Sequence, residues 1–488
     1  MDKHFMNSNE IKTQFGNKVF DFKKRFVNDI NAAHIHFIGI GGSGMYPLAQ
    51  ILHSAGFYLT GSDNNETETV EAVRSMGIKV FIGQRAENLS GADLIIYTGA
   101  VSESNPELRA ARDSGVKILE RSELLGLLTG YFDNTVCVSG THGKTTVTSM
   151  ITEILVDARV DTSAVIGGKL PCIGGSGVFG KSDIFVVESC EFKDHFLKLS
   201  PDIAVILNID EDHMDYFQTF DRLCQSFRAF AESASKVLII NGSDKNTVKT
   251  MANIDKQVLT FGDNSSYNFY PNNIQIVNPL LTKFDIFKNK KLFCKVELHV
   301  PGHHNIINAV AAAAAADYLE ISPELIAAGL SNFHGAGRRF EKYGEAGGIT
   351  VADDYAHHPA EISVTLDAAL SMGYKNVWAV HQPFTFSRTK TLLDDFAKVL
   401  AKADKVLLTA IMGGREENIY NIHTRDLAKL IPDAVYFENE DHDENFDLTV
   451  DYIIENAKPG DLILTLGCGD INKVARKVTA KLKEKYAE

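Results

Sequence analysis

Between residues 139 and 146 the chain reads Ser139-Gly140-Thr141-His142-Gly143-Lys144-Thr145-Thr146, a glycine-spaced turn ending on a lysine and two threonines. Glycines let backbone N–H groups converge, a helix starting at the lysine adds its free amides, and the ammonium brings a positive charge to the same spot. Such a spot suits a triphosphate: Lys144 neutralises the β and γ oxygens, and the Thr145 hydroxyl reaches a Mg²⁺ bridging them. The usual phosphate-loop spacing has a glycine five residues before Gly143, where this chain has Val138, so the loop is a variant. Acids follow in suitable places. Val187-Glu188-Ser189-Cys190-Glu191 puts a carboxylate at the end of an apolar run, with Glu188 the better placed for a metal. Asn208-Ile209-Asp210-Glu211-Asp212-His213-Met214-Asp215 surrounds a histidine with acids. Singly, each cluster reads as a solvated turn. Their common position after apolar runs, beside a phosphate loop, favours ligands instead.

The elements that must hold these groups follow a regular alternation. His34-Ile35-His36-Phe37-Ile38 reads as a strand, Gly39-Ile40-Gly41-Gly42-Ser43-Gly44 as a tight turn, and Met45 to Ala55 as a helix. Further short apolar runs at 57–60, 80–82 and 94–97 complete a first α/β segment. A second starts with the strand Thr135 to Val138 and a helix to about Leu155, with buried strands at 184–187, 203–207 and 237–240. A third follows Gly335-Ala336-Gly337-Arg338-Arg339-Phe340, with strands at 349–351, 377–380, 405–409 and 462–466. Parallel sheets with helices on both faces are expected: three α/β domains in series, Rossmann-like at both ends with a phosphate-loop ATPase domain between. Boundaries fall at 34–133, 134–335 and 336–488, after an N-terminal extension of residues 1–33 that is a flap or a frayed helix.

At 488 residues the chain exceeds one ordinary core, which fits this division. With 44% hydrophobic and 23% charged residues it reads as a folded globular protein. The six cysteines form no C-x-x-C pair, so neither a zinc site nor a disulfide framework is indicated, and a reducing compartment is expected. No leader-like apolar stretch opens the chain and no run of 18 apolar residues occurs, which points to a cytoplasmic protein without a membrane span. A net charge of −14 argues against coating nucleic acid.

The Gly140-to-Thr146 loop resembles the signature of the Mur ligases and folylpolyglutamate synthases, enzymes that form peptide-like bonds through an acyl phosphate. The resemblance runs from about His34 to about Arg476, carried also by His304-Asn305-Ile306-Ile307-Asn308-Ala309, Gly337-Arg338-Arg339-Phe340-Glu341, Asp353-Asp354-Tyr355-Ala356-His357-His358-Pro359 and His381-Gln382-Pro383-Phe384-Thr385-Phe386-Ser387-Arg388-Thr389. It implies that Gly140, Thr141, His142, Gly143, Lys144, Thr145 and Thr146 hold ATP with Asn305, Asn308, Arg339 and Asp354, and that Mg²⁺ sits on Thr145 and Glu188 with a second ion at His213. A guanidinium such as Arg339 can stabilise a phosphoryl group in transfer. The middle of the helix from Asn308 to Ala316 reads only as tightly packed core.

Gly39-x-Gly41-x-x-Gly44 with Asp63 downstream is, by itself, also a dinucleotide fingerprint. In the alanine-adding Mur enzymes a similar turn holds a nucleotide-sugar diphosphate, so the resemblance assigns Gly41, Gly42, Ser43 and Gly44 to the diphosphate of UDP-N-acetylmuramate, Asp63 to its uridine end, and Ser102 to Glu107 to the same ligand. Arg388 is implied to grip the carboxylate of the incoming L-alanine, beside Tyr355 and His357. Two departures stand out. Phe384 and Thr385 replace the family's histidine and arginine, and no lysine lies between His213 and Lys236, with Phe227 where later-acting Mur ligases carry a carbamylated lysine. The second departure favours the alanine-adding branch. Alternatives are a murein-recycling ligase that adds a whole peptide, an NAD-dependent oxidoreductase, and a binding protein that senses wall precursors. The partners expected are small molecules, on a monomer or homodimer.

Overall fold

A computed structural model describes residues 32–486 apart from 279, 415, 438 and 440, so the expected extension before residue 34 lies almost wholly outside the described residues. By internal contacts the chain forms two compact units. The first runs to Gln275 and includes Lys283–Leu298 and His304–His334, while the second comprises Ile276–Thr282, His299–His303 and Gly335–Glu488.

The first unit holds two sheets. β1 (His34–Ile38), β2 (Tyr58–Asp63), β3 (Lys79–Ile82), β4 (Leu94–Tyr97) and β5 (Lys117–Glu120) pair in the order β3-β2-β1-β4-β5, all parallel. The order reverses between β1 and β4, and ligands of open α/β sheets bind at such a point, beyond the strands' carboxyl ends. The glycine turn after β1 stands there.

The second sheet contains β6 (Asn134–Ser139), β7 (Ser163–Leu170), β8 (Gly175–Val178), β9 (Ile184–Glu188), β10 (Ile203–Ile206), β11 (Val237–Asn241), β12 (Val258–Phe261), β13 (Phe269–Asn278), β14 (Leu281–Lys288) and β15 (Lys291–Leu298). Their order is β15-β14-β13-β12-β11-β10-β6-β9-β7-β8. β6 is flanked in parallel by β9 and β10, so the phosphate loop leaves the sheet between the ends that carry Glu188 and Asn208. Ile-Ala-Val-Ile in β10 is buried throughout, as a strand covered on both faces requires.

One hydrophobic core joins the two sheets of this unit, running from Leu48, Leu52 and Phe132 to Phe185, Phe196 and Phe227. The helix Tyr46–Ser54 lies directly on β8: Gln50 Oε1 accepts the N–H groups of Ser176 and Gly177 at 3.1 and 3.0 Å. A Cβ at Gly177 would run into the backbone of Pro47, so only glycine allows this approach.

In the second unit β16 (Glu341–Ala346) runs antiparallel to β17 (Ile349–Asp354), and β17, β21 (Asp461–Leu466), β18 (Asn376–His381), β19 (Lys405–Leu408) and β20 (Val435–Tyr436) follow in parallel. Side chains alternate between faces along each strand. Val377 and Ala379 enter one core, Trp378 and Val380 the other. Register places Asp354 and His381 both opposite Leu466, so three strand ends finish level. Among the described residues no helix is long and apolar enough to cross a membrane.

Candidate active site

In the first unit, Gly140 and Gly143 take positive φ values, which the loop needs to turn from β6 into the helix Lys144–Asp157. Asn208, just past β10, braces the loop. Its Oδ1 accepts the His142 N–H at 2.8 Å, its Nδ2 donates to the His142 carbonyl at 3.0 Å, and its own carbonyl accepts the Thr141 N–H. Thr141 Oγ1 accepts the Asp210 N–H at 2.9 Å. A Cβ at Gly143 would lie 2.9 Å from Asn308 Oδ1, and Asn308 donates to Asn305 Oδ1 at 3.0 Å, so this amide pair stands against the loop.

Lys144 folds back over its own turn. Nζ donates to the Gly140 and Thr141 carbonyls at 2.5 and 2.9 Å and pairs with Glu191 at 3.0 Å. Burial alone would pull an ammonium toward neutrality, but the carboxylate of Glu191, with Cys190 and Glu188 beyond it, more than compensates and raises its pKa. The lysine therefore stays charged with no phosphate present. Glu191 is 1% exposed and was not among the residues picked out by sequence; the only signal was its place as the second acid of Val-Glu-Ser-Cys-Glu.

Glu188 and Thr145 meet as expected. Thr145 Oγ1 donates to Glu188 Oε1 at 2.9 Å, and Oε2 accepts the Gly167 N–H at 2.7 Å. A Cβ at Gly167 would collide with the carboxylate, which explains a glycine in this strand, where the pairing with β8 also shifts register. His213 adopts a left-handed conformation (φ 54°), its ring 4.8 Å from Phe192 and its Nε2 3.6 Å from Asp212 Oδ2. Among the described residues no cluster of three His, Cys, Asp or Glu side chains forms a ready metal cage.

At the turn after β1, Asp63 has a different task from the one expected. Its Oδ2 accepts the Gly41 N–H at 2.9 Å and its Oδ1 the Asn65 N–H at 3.2 Å, so it orders the glycine turn itself. The 102–107 segment is also partly structural. Asn105 caps the helix Pro106–Asp113, and Glu107 lies buried with Oε1 3.0 Å from His36 Nε2 and Oε2 accepting from Ser62 at 2.5 Å.

In the second unit, Arg338 is the structural member of the arginine pair. It bonds Asp353 at 2.8 Å and the carbonyls of Gly469 and Gly467 at 2.8 and 2.6 Å, while Arg339 lies over the Tyr355 ring at 5.2 Å. Asp354 accepts the N–H groups of Phe340 and Ala356, both at 2.8 Å. Burial pushes its carboxyl up to about 6, against the opposing pull of Arg339 and of those two amides. Tyr355 and His357 are paired, rings edge-on at 5.6 Å, and His357 Nδ1 lies 3.3 Å from Glu361. The half-buried Cys468 thiol is pushed up to about 12 chiefly by desolvation, with Arg388 opposing and Glu361 adding to the shift. A cavity of about 760 Å³ opens at the ends of β19 and β20, lined by Phe386, Met412, Asn418, His423, Arg425 and His442.

The chain is similar to known proteins along most of its length. Residues 34–133 match the model of the Mur ligase family catalytic domain, 138–316 that of the Mur ligase middle domain, and 338–469 that of the Mur ligase glutamate ligase domain. A UDP-N-acetylmuramate–L-alanine ligase of Agathobacter rectalis is 41% identical over 92% of this chain and 98% of its own length. One from Clostridium botulinum is 43% identical with the same coverage. The crystal structure of the UDP-N-acetylmuramate-alanine ligase of Thermotoga maritima superposes with a TM-score of 0.79 at 28% identity, covering 93% of this chain and 99% of that one. A murein peptide ligase from Psychrobacter arcticus shares the fold, with a TM-score of 0.72 at 24% identity over 92% of this chain and 98% of its own.

Proposed function

Since this chain belongs to the Mur ligase family, we propose that it joins L-alanine to the lactyl carboxylate of UDP-N-acetylmuramate, converting ATP to ADP and phosphate. It is an ATP-dependent acid–amino-acid ligase of peptidoglycan precursor synthesis. The observation that carries the reading is the charged Lys144, held by Glu191 at the mouth of a loop braced by Asn208.

In the first step an oxygen of the lactyl carboxylate attacks the γ-phosphorus and ADP leaves, giving an acyl phosphate. In the second the neutral amine of alanine attacks the acyl carbon, phosphate leaves, and the amide remains. Lys144 exchanges the carbonyls of Gly140 and Thr141 for phosphate oxygens, and the amides of Gly143 to Thr146, at the start of the helix, supply further donors. A hydroxyl and a carboxylate 2.9 Å apart, Thr145 and Glu188, fit Mg²⁺, which takes few protein ligands and leaves its remaining positions to water and phosphate. Bound there, Mg²⁺ supplies charge neutralisation; His213 is assigned to a second ion. Asn305 and Asn308 are assigned to the nucleotide, as are Arg339 and Asp354 of the second unit. Tyr355, His357 and Arg388 are assigned to the amino acid, and Gly41 to Gly44 to the diphosphate, with Asp63 ordering that turn. Positioning and electrostatics carry the rate enhancement. We draw the domain boundaries at 34–133, 134–335 and 336–488 and place the enzyme in the cytoplasm as a monomer or homodimer.

A second reading, addition of a whole peptide, is favoured by the 760 Å³ cavity beside Phe386, a volume in the range of about 300–1,000 Å³ typical of drug-sized ligands and more than an alanine needs. Side-by-side assays with L-alanine and a free tripeptide as amine donor separate the two. Alanine is expected to be the better substrate, and tripeptide turnover with alanine inert would refute the main reading.

A further inference from the structure

The run of residues 188–195 makes contact with four groups of the first unit's site. Glu188 accepts from Thr145, Glu191 pairs with Lys144, Phe192 packs on His213, and His195 meets Arg121. Only the last contact leads away from the phosphate loop, toward the turn after β1. Arg121 opens the helix Arg121–Thr129 at the end of β5. A Cβ at Gly44 would lie 2.9 Å from Arg121 Cδ and 3.2 Å from Nε, so the arginine lies against the last glycine of that turn.

Among the described residues Arg121 makes one hydrogen bond, from Nη2 to His195 Nδ1 at 3.2 Å. A guanidinium only donates, so Nδ1 must be the accepting nitrogen and the imidazole uncharged. Burial, with the charge of Arg121 next, holds this histidine down to about 4, in keeping with the geometry. The pairing is rigidly mounted. Gly126 lets the helix press on the Lys198 carbonyl, Thr129 Oγ1 accepts the Ser200 N–H at 3.0 Å, and Asp194 accepts the Tyr216 hydroxyl at 2.6 Å. Glu120, the nearest carboxylate in sequence, accepts the N–H and hydroxyl of Ser122 and reaches Arg121 through its charge rather than through a hydrogen bond. An uncharged acceptor orients the guanidinium without cancelling its charge, which remains available to an anion on the glycine turn.

We propose that Arg121 grips the diphosphate of the UDP-sugar seated on Gly41 to Gly44, and that His195 is the positioning residue that aims it. This rests on the UDP-sugar reading above. A planar fork of donors matches two phosphate oxygens at once, complementing the amides of the turn. Because Glu191 and His195 belong to one short braced segment, the same backbone sets the lysine on one phosphate group and the arginine on the other.

The test uses full-length protein: steady-state kinetics at saturating ATP and alanine, with calorimetric titration of UDP and of uridine. Arg121→Ala is expected to raise KM for the UDP-sugar and weaken UDP by about 10–100-fold, the usual worth of charge-assisted hydrogen bonds. Uridine affinity and KM for ATP should stay within about 2-fold, which also reports that the variant is folded. Arg121→Lys, a point charge without the fork, should fall between. His195→Gln, whose amide oxygen can still accept, should remain near wild type, while His195→Leu should raise the UDP-sugar KM several-fold with kcat unchanged. UDP affinity that Arg121→Ala leaves unchanged overturns the proposal, as does loss of uridine and UDP in equal proportion. Wild-type protein that fails to bind UDP overturns it together with the reading on which it rests.

Discussion

Replacing His381 by phenylalanine should remove much of the acid sensitivity of the second unit. The imidazole is 0% exposed at the end of β18, stacked on Phe396 at 5.5 Å, and its Nδ1 donates to the Leu466 carbonyl at 3.0 Å. Its Nε2 has no hydrogen-bond partner among the described residues. Burial, reinforced by His357 and opposed by the Leu466 carbonyl, brings it down to about 4 from an ordinary value of 6.5. A histidine whose folded pKa lies below its unfolded one stabilises the fold above about pH 6.5, and that contribution is lost as the pH falls toward 4. The loss amounts to about 2 kcal/mol at pH 5 and about 3 kcal/mol at pH 4. At neutral pH His381→Phe gives up one hydrogen bond worth about 1 kcal/mol and removes an unsatisfied buried nitrogen that costs about as much or more. The Leu466 carbonyl keeps the Gln382 N–H, so nothing new is left unpaired. Trp378, the single tryptophan, is buried on the same strand, so urea unfolding followed by its fluorescence reports on this unit directly. The difference between variant and wild type cancels other titrating groups such as Asp354. The variant should match wild type within about 1 kcal/mol at pH 8 and exceed it by about 2 kcal/mol at pH 5. Equal losses in both proteins between those pH values would refute the reasoning.

Further outcomes follow from the first unit. Lys144→Ala should lower kcat by about 100–1,000-fold, the usual cost of removing one charge-stabilising donor, with the fold retained; ADP release under saturating substrates measures it. Glu188→Gln and Thr145→Ala should each shift the Mg²⁺ dependence of turnover to higher concentration by about 10–100-fold, as read from Mg²⁺ titrations of initial rate. Asn208→Ala releases both side-chain contacts with His142 at once and should raise KM for ATP by about 10-fold or more while leaving UDP titration unchanged. Asp63→Asn keeps an accepting oxygen for Gly41 and should perturb the UDP-sugar KM far less than Asp63→Ala does.

The strand, glycine turn and helix around Lys144 were legible because local cues and tertiary placement agree there. β6 is largely buried, Gly140 and Gly143 have φ values that favour glycine, and Glu188 ends the strand next to the one whose loop leads into Thr145. Glu191 and Asn208 escaped notice because their roles depend on irregular backbone. The run after Glu191 passes through left-handed Lys193 and Asp194, which no periodic pattern announces. Asp63 and Asp354 show the converse: an acid at the end of a strand can face a ligand or its own chain's amides, and here both hold backbone N–H groups. β12 was missed because it is only four residues long, and β13 to β15 because asparagine, lysine and other polar residues interrupt their apolar runs. Arg121 was passed over as the start of an ordinary helix, since only the fold brings it beside Gly44.

The most direct measurement follows an oxygen atom. With the lactyl carboxylate of UDP-N-acetylmuramate labelled with oxygen-18, turnover with ATP and L-alanine should deliver one labelled oxygen per turnover into the inorganic phosphate released, since the carboxylate oxygen that takes the phosphoryl group at Lys144 leaves with it. Phosphate that carries no label while the amide accumulates would contradict transfer of the γ-phosphoryl group to the sugar-borne acid.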